Sequence, residues 1–314
     1  MKLRLGTRRS ALALAQSRWV AERLARAAGV EVELVPIVTT GDRIPGDLGA
    51  AGGKGLFTAE LEAGLLDGSL DVAVHSLKDL PVELPAGLVL AALPERADPR
   101  DALVSTAAAS LDALPTGAVL LTGSLRRRAQ LLALRSDLEV RPVRGNVDTR
   151  LTKRRHLEED EGRPGGAILA MAGLSRLGVS GEPVHPIDPA LLLPAPGQGT
   201  LAIEVRAGSP AEEPCRALDH PPTARAAEAE RAVVAAFGGD CTLPLAAWAR
   251  EEPADGGGPH RLRLTALLAT PNGDRIARGE AVASSAAEAA AECVAAMRAD
   301  GAGAVLAAIR EDGR

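Results

Sequence analysis

Three short polar stretches hold residues whose types and spacing could do chemistry: His75-Ser76-Leu77-Lys78-Asp79-Leu80-Pro81, Thr122-Gly123-Ser124-Leu125-Arg126-Arg127 and Arg144-Gly145-Asn146. Each follows an apolar run, at 70–74, 119–121 and 140–143, that reads as a buried strand. In wound α/β sheets ligands bind beyond the carboxyl ends of strands, so a site is expected at these places. Small hydroxyl residues and helix-start amides beside arginines suit carboxylates, because a guanidinium grips one through two parallel hydrogen bonds. The implied ligand carries several negative charges. Asp79, set between a strand end and Pro81, has a fixed position from which to donate a proton or stabilise a cation.

Positive charge is concentrated around two of these stretches. Between Thr122 and Arg155 stand ten Lys or Arg against Asp137, Glu139 and Asp148, in a chain whose formal charge is -5. Arg126, Arg127, Arg144 and Arg150 lie just after strands or one helical turn beyond, which favours a ligand, whereas Arg128, Arg135, Arg154 and Arg155 read as a solvated helix face. RNA is a poor partner, since only 1% of the chain is aromatic and no stacking side chain stands in the basic stretch. Gly52-Gly53-Lys54-Gly55 lacks a hydroxyl residue after Lys54 and a Gly five places before Gly53, so a triphosphate loop is unsupported. His156, His185, His220 and His260 have no partner at metal-site spacing, Cys215 with His220 lacks further ligands, and no metal is expected. Cys215, Cys241 and Cys293 are too few for a disulfide framework and fit a reducing, cytoplasmic setting. On residue type alone, Cys241 reads as a small buried apolar side chain.

The elements that must position these residues are legible in outline. Helical spacing over 10–28, closed by Gly29, precedes an alternating strand over 30–38. Residues 41–55 are Gly-rich and aperiodic, which suggests a moving flap, and a helix over 56–66 follows. From Asp101 onward, strands at 102–104, 119–121, 139–143 and 167–171 alternate with helices at 126–134 and 147–158, implying a parallel wound sheet. The tail differs: strands at 261–269 and 275–282 flank Pro271-Asn272-Gly273-Asp274, a hairpin signal, and Ser285-Ala286-Ala287-Glu288 makes a capping box for a helix reaching about Arg298. The tail is thus a small α+β domain. With 314 residues, 46% of them hydrophobic, the chain can bury two or three cores. No apolar run approaches the roughly 18–20 residues that cross a bilayer.

The combined motifs resemble the porphobilinogen deaminase family, also called hydroxymethylbilane synthase, over essentially the whole chain. They are Gly6-Thr7-Arg8-Arg9-Ser10-Ala11-Leu12-Ala13-Leu14, Gly53-Lys54-Gly55-Leu56-Phe57, the His75 to Pro81 stretch, Ser124-Leu125-Arg126-Arg127 and Arg144-Gly145-Asn146-Val147-Asp148-Thr149-Arg150. Ala172-Gly173-Leu174-Ser175-Arg176-Leu177-Gly178, Pro196-Gly197-Gln198-Gly199 and Gly238-Gly239-Asp240-Cys241 complete the set. The resemblance implies an α/β protein with two wound domains like those of periplasmic binding proteins and a small C-terminal α+β domain with a three-stranded antiparallel sheet. The implied bounds are 1–95 with 194–213, 96–193, and 214–314.

The resemblance also implies a dipyrromethane cofactor joined by a thioether to Cys241, which reverses the reading of that residue. It implies addition of four porphobilinogen units with loss of one ammonia each, then release of hydroxymethylbilane by water. Asp79 would protonate the departing amine, stabilise the cation that remains and help remove a proton after carbon–carbon bond formation. Each pyrrole carries two carboxylate arms, a load that could not be buried unpaired. Arg8, Ser10, Gln16, Ser76, Lys78, Thr122, Ser124, Arg126, Arg127, Arg144, Arg150, Gly173, Arg176 and Gln198 would bind cofactor and substrate, with Asp42, Lys54 and Phe57 on the flap. The implied partner is porphobilinogen alone, with no nucleic acid or membrane, met by a monomer. The sequence departs from the family at Leu121-Thr122-Gly123-Ser124, where Gly123 replaces a usual Ser. It departs again at Pro194-Ala195-Pro196-Gly197-Gln198-Gly199-Thr200, where Pro196 and Thr200 replace Val and Ala, and at Ala15, which replaces a common aromatic. The competing expectation is a two-lobed dicarboxylate-binding sensor without catalysis, which would need neither a thioether at Cys241 nor Asp79.

Overall fold

Ser10 ends the first strand-to-helix turn, and the same move recurs along the chain. Its side chain accepts the N–H of Ala13 at 3.3 Å, capping the helix Ala11–Ala28, an interaction worth about 1 kcal/mol. The structure, a computed structural model, describes residues 1–43, 58–238, 243–253 and 260–312. It begins with β1 (Lys2–Arg8), α1 (Ala11–Ala28), β2 (Glu31–Ile37), α2 (Thr40–Arg43), α3 (Ala59–Asp67), β3 (Val72–Ser76) and β4 (Leu88–Ala92). Then come β5 (Asp101–Val104), β6 (Val119–Leu121), α4 (Leu125–Leu134), β7 (Glu139–Arg141), α5 (Val147–Arg155), β8 (Gly165–Ala170), α6 (Met171–Arg176) and β9 (Val184–Pro186). The remainder is β10 (Leu201–Arg206), α7 (Glu212–Arg216), α8 (Pro221–Ala236), β11 (Leu245–Glu252), β12 (Arg261–Ala269), β13 (Ile276–Ala283), α9 (Ala286–Ala299) and α10 (Ala302–Asp312). Two compact units result, Met1–Ala97 with Gly199–Arg225, and Asp98–Gln198 with Ala226–Arg314.

The first unit is built on a five-stranded sheet in the order β2-β1-β3-β10-β4. β1 is parallel to β2 and to β3, so Arg8, Ile37 and Ser76 end at the same edge. β10 is antiparallel to both β3 and β4. One face packs Leu3, Leu5, Val72, Val74 and Ile203 against Val20 and Leu24 of α1, and the other meets Leu61 and Leu65 of α3. Burial on both faces explains why the sequence of β3 is an apolar run without alternation.

The second unit contains a five-stranded sheet in the order β7-β6-β8-β5-β9 and a three-stranded antiparallel sheet, β11-β12-β13. β6 is parallel to β7 and β8, whereas β5 is antiparallel to β8 and β9. The small sheet buries one face under α9 and α8, with Leu262, Leu264 and Leu268 facing Cys293, Met297 and Val233 in one core. The capping box forms in modified shape: Ser285 Oγ accepts Glu288 N–H at 3.2 Å, while the Glu288 carboxylate accepts from Ser284 N and Oγ, at 3.3 and 3.0 Å.

The wound domains and the three-stranded tail agree with expectation, but the expected parallel sheet is corrected to a mixed one. Strand direction is set by where the chain re-enters a sheet, and β5 and β10 re-enter from distant segments, which local periodicity does not record. Two boundaries also move. Residues 41–43 belong to the helical turn α2 instead of opening a loop, the rest of the expected flap from 44 lies outside the described residues, and α5 gives way to a π-helical turn at His156–Asp160.

Candidate active site

At the carboxyl edge of the first sheet, β3 runs straight into a single 3-10 turn, Leu77–Asp79. Leu77 and Leu80 are buried, Leu77 N–H donates to Thr200 O at 3.0 Å, and Leu80 N–H donates to Leu77 O at 3.1 Å. These anchors leave Lys78 half-buried and turn Asp79 out to solvent. Gln16 of α1 donates to Ser76 Oγ at 3.1 Å. Arg8, at the end of the adjacent parallel strand, and Ser10, the cap of α1, share the edge. Just behind Ser76, His75 Nε2 meets Glu204 Oε2 of β10 at 3.0 Å, both side chains buried. Burial pushes the neighbouring Glu62 carboxyl of α3 upward, and the Glu204 carboxylate adds to the shift.

The parallel strands β6, β7 and β8 also end at a common edge, in the second unit. Beyond β6, Thr122 Oγ1 accepts Ser124 N–H at 3.2 Å, and Ser124 caps α4 by accepting Arg127 N–H at 3.4 Å. A Cβ placed on Gly123 would lie 2.6 Å from the Val143 carbonyl oxygen. That close approach accounts for the missing serine hydroxyl at this position. Beyond β7, Arg144 is exposed, Asn146 caps α5 by accepting Thr149 N–H at 3.0 Å, and Arg150 Nε donates to Gly145 O at 2.9 Å. Beyond β8, Gly173 is buried in α6 and Arg176 ends it, half-buried. Burial moves the Arg176 guanidinium down to about 10, so it stays charged at neutral pH.

Arg126 and Arg127 differ from Arg144, Arg150 and Arg176 in being buried, and both are turned on Asp101. Asp101 opens β5 directly opposite Ala170, the last residue of β8, which places it at the same edge. Gln198, also buried, donates to Asp101 Oδ1 at 2.9 Å and to Pro99 O at 2.7 Å. Burial alone would raise the Asp101 carboxyl, but the two guanidiniums outweigh it and hold the group well below the usual carboxylate range. Sequence inspection misses Asp101. The available signal is two adjacent arginines at a buried helix start, which require a buried acid somewhere. The solvated reading of Arg154 is corrected: its side chain is 2% exposed and pairs with Glu158 at 2.5 Å and with Glu182. Arg128 and Arg135 are likewise committed, to Val140 O at 2.8 Å and to Leu111 O at 2.9 Å.

The family model described as "Porphobilinogen deaminase, dipyromethane cofactor binding domain" matches residues 3–213, and that described as "Porphobilinogen deaminase, C-terminal domain" matches residues 224–300. The chain belongs to the porphobilinogen deaminase family. The porphobilinogen deaminase of Acidothermus cellulolyticus is 51% identical over 253 residues, covering 78% of this chain and 74% of that one. That of Thermus thermophilus is 47% identical over 279 residues, covering 88% of each. Among solved structures, the chain is similar to the methionine binding protein MetQ, with a TM-score of 0.40, 14% identity and coverage of 68% of this chain and 88% of that one. It is similar too to a nutrient binding protein from Burkholderia cenocepacia, with a TM-score of 0.41, 16% identity and coverage of 70% and 93%.

Some residues that the porphobilinogen deaminase resemblance singles out fall outside the described set: Cys241, Lys54, Phe57 and the side chain of Asp42. The other two cysteines are described, and burial pushes the thiols of Cys215 and Cys293 up to about 12. Neither can present a thiolate at neutral pH. Among the described residues, no group of three or more His, Cys, Asp or Glu side chains is placed to hold a metal, and no helix is long and apolar enough to cross a membrane.

Proposed function

We infer that this chain joins four porphobilinogen molecules head to tail, with loss of ammonia at each addition, and then releases hydroxymethylbilane by hydrolysis. The observation that carries the mechanism is one exposed carboxylate, Asp79, set by the buried Leu77 and Leu80 at the end of β3. An acid must reach a substrate amine to protonate it, and Asp79 stands at the strand end where ligands of such sheets bind. From that position it gives a proton to the departing amine, faces the cationic carbon left behind, and receives the proton lost after carbon–carbon bond formation. Arg8, Ser10, Gln16, Ser76 and Lys78 on the first sheet edge bind the carboxylate arms of the reacting unit. Thr122, Ser124, Arg126, Arg144, Arg150, Gly173 and Arg176 bind those of the primer and the units already added, while Arg127 and Gln198, both turned on Asp101, support that set through it.

The donor set of the second edge fits dipyrromethane, whose arms are carboxylates: Arg126 keeps a buried Nε without a hydrogen-bond partner, and the guanidiniums outnumber the acid they share. When bound, this group supplies the pyrrole carbon from which growth starts. Cys241 is the attachment thiol, supported by the unsuitability of Cys215 and Cys293. Three domains are proposed, 1–95 with 194–213, 96–193 and 214–314, supported by the three separate sheets. The enzyme is proposed to be a cytoplasmic monomer that meets neither nucleic acid nor membrane; the two buried free thiols support the reducing compartment alone.

Denatured intact mass tests this function. Protein from cofactor-replete cells should be heavier than its sequence by a dipyrromethane unit, and Cys241→Ala should lack both the added mass and the colour reaction with pyrrole-specific aldehydes. A sequence-exact mass in well-expressed protein from such cells would favour a sensor-like dicarboxylate binder, and a normal colour reaction in Cys241→Ala would move the attachment elsewhere.

A further inference from the structure

Four buried side chains at the edge of the second sheet do not balance in charge. Asp101 is 0% exposed, Arg126 and Arg127 are each 4% exposed, and Gln198 is 1% exposed. Asp101 Oδ1 accepts from Arg127 Nε at 3.1 Å, Arg127 Nη2 at 2.7 Å and Gln198 Nε2 at 2.9 Å. Asp101 Oδ2 lies 2.7 Å from Arg126 Nη1, an ion pair whose angle falls outside hydrogen-bond geometry. The same two arginines donate to main-chain oxygens, Arg126 to Leu193 O at 2.6 Å and Arg127 to Ile168 O at 2.8 Å. Arg127 therefore has all three nitrogens engaged by protein, while Arg126 keeps its Nε buried and unsatisfied. Among the described residues, these two guanidiniums are the charges that act on Asp101. An uncompensated buried charge and an orphaned buried donor are both unfavourable, and one anionic oxygen group would answer both.

We propose that Asp101 and Gln198 set the charge of this subsite: Asp101 fixes both guanidiniums and neutralises one, and the neutral amide at 198 leaves the other open, so the pair takes one ligand carboxylate, through Arg126. Arg127 is the brace. Gln198 touches the same carboxylate as Arg127, and a glutamate there would bring a second negative charge to the pair and fill the subsite from within. This inference rests on the proposed function, which supplies the carboxylate ligand.

The test compares Gln198→Glu and Gln198→Leu in the full chain, with Cys241→Ala as the cofactor-free reference. Denatured intact mass gives the loaded fraction, thermal denaturation gives stability, and the loaded fraction of each variant gives kcat and KM for porphobilinogen. Gln198→Glu should lose loading by at least about tenfold, the scale of one charged hydrogen bond, while its thermal midpoint stays at or above that of Cys241→Ala. Gln198→Leu removes a donor from Asp101 and Pro99 without changing charge, so it should lower the midpoint and keep its loading. Wild-type loading in Gln198→Glu overturns the proposal. So does a parallel fall of loading and midpoint in both variants, which would make Gln198 a brace only. A wild-type chain of sequence-exact mass overturns the proposed function itself, and this inference with it.

Discussion

Asp79 is exposed because its neighbours are not. Leu77 and Leu80 hold the 3-10 turn from below, so the carboxylate can be changed without disturbing a packed contact. Asp79→Asn should keep the thermal midpoint and lower the rate of ammonia release by about 10²-fold or more, the usual cost of losing a positioned acid or base; near-normal turnover would remove Asp79 from the mechanism. Glu62 is the opposite case. Burial holds its carboxyl above the ordinary range, so folding favours the protonated form. Its stabilising share is complete below about pH 4 and is lost as pH rises through the folded value. Glu62→Gln should match the wild-type midpoint at about pH 4 and exceed it at about pH 8, as thermal denaturation at the two pH values will show. The contrast marks what sequence reveals at this scale. Asp79 is legible because it follows an apolar run and precedes a proline; Asp101, Glu204 and Glu62 are not, since a buried acid is recognised by partners that lie far away in sequence.

At the scale of elements, the tight turn between β12 and β13 has a second task. Gly273 has φ 75°, and a Cβ added to it would lie 2.2 Å from Ala129 O of α4, the helix whose first turn carries Arg126 and Arg127. A main-chain carbonyl cannot rotate away as a side chain would. Gly273→Ala should therefore cost about 1–3 kcal/mol in backbone strain alone, with an added penalty from the clash, read as a lower denaturation midpoint. An unchanged midpoint would mean that the turn does not rest on α4. The Asn272-Gly273 pair is readable in sequence as a hairpin, and the bounds of β12 and β6 agree with their periodicity. The docking of that hairpin on α4 is not readable, and neither are β4, β9 and β10. β9 has three residues, β10 directly follows a glycine-rich turn, and each is held by pairing partners distant in sequence, so no local period announces it.

Over the whole molecule, one topological fact bears on how the protein is made. β10 sits between β3 and β4 in the first sheet, yet its residues follow the entire second five-stranded sheet in the chain. A nascent chain that has emerged only as far as Gln198 has β3 and β4 without the strand that joins them. At about 5–20 residues per second, the ribosome needs on the order of 5–20 s to supply the intervening hundred or so residues. A ribosome-stalled chain ending at Gln198 should remain protease-sensitive over residues 1–97, and one extended well past Arg206 should become resistant there; early protection would show that the first unit closes without β10 in place. Until then the unpaired margins of β3 and β4 are open to strangers, so chaperone demand during synthesis should peak while the middle of the message is being decoded.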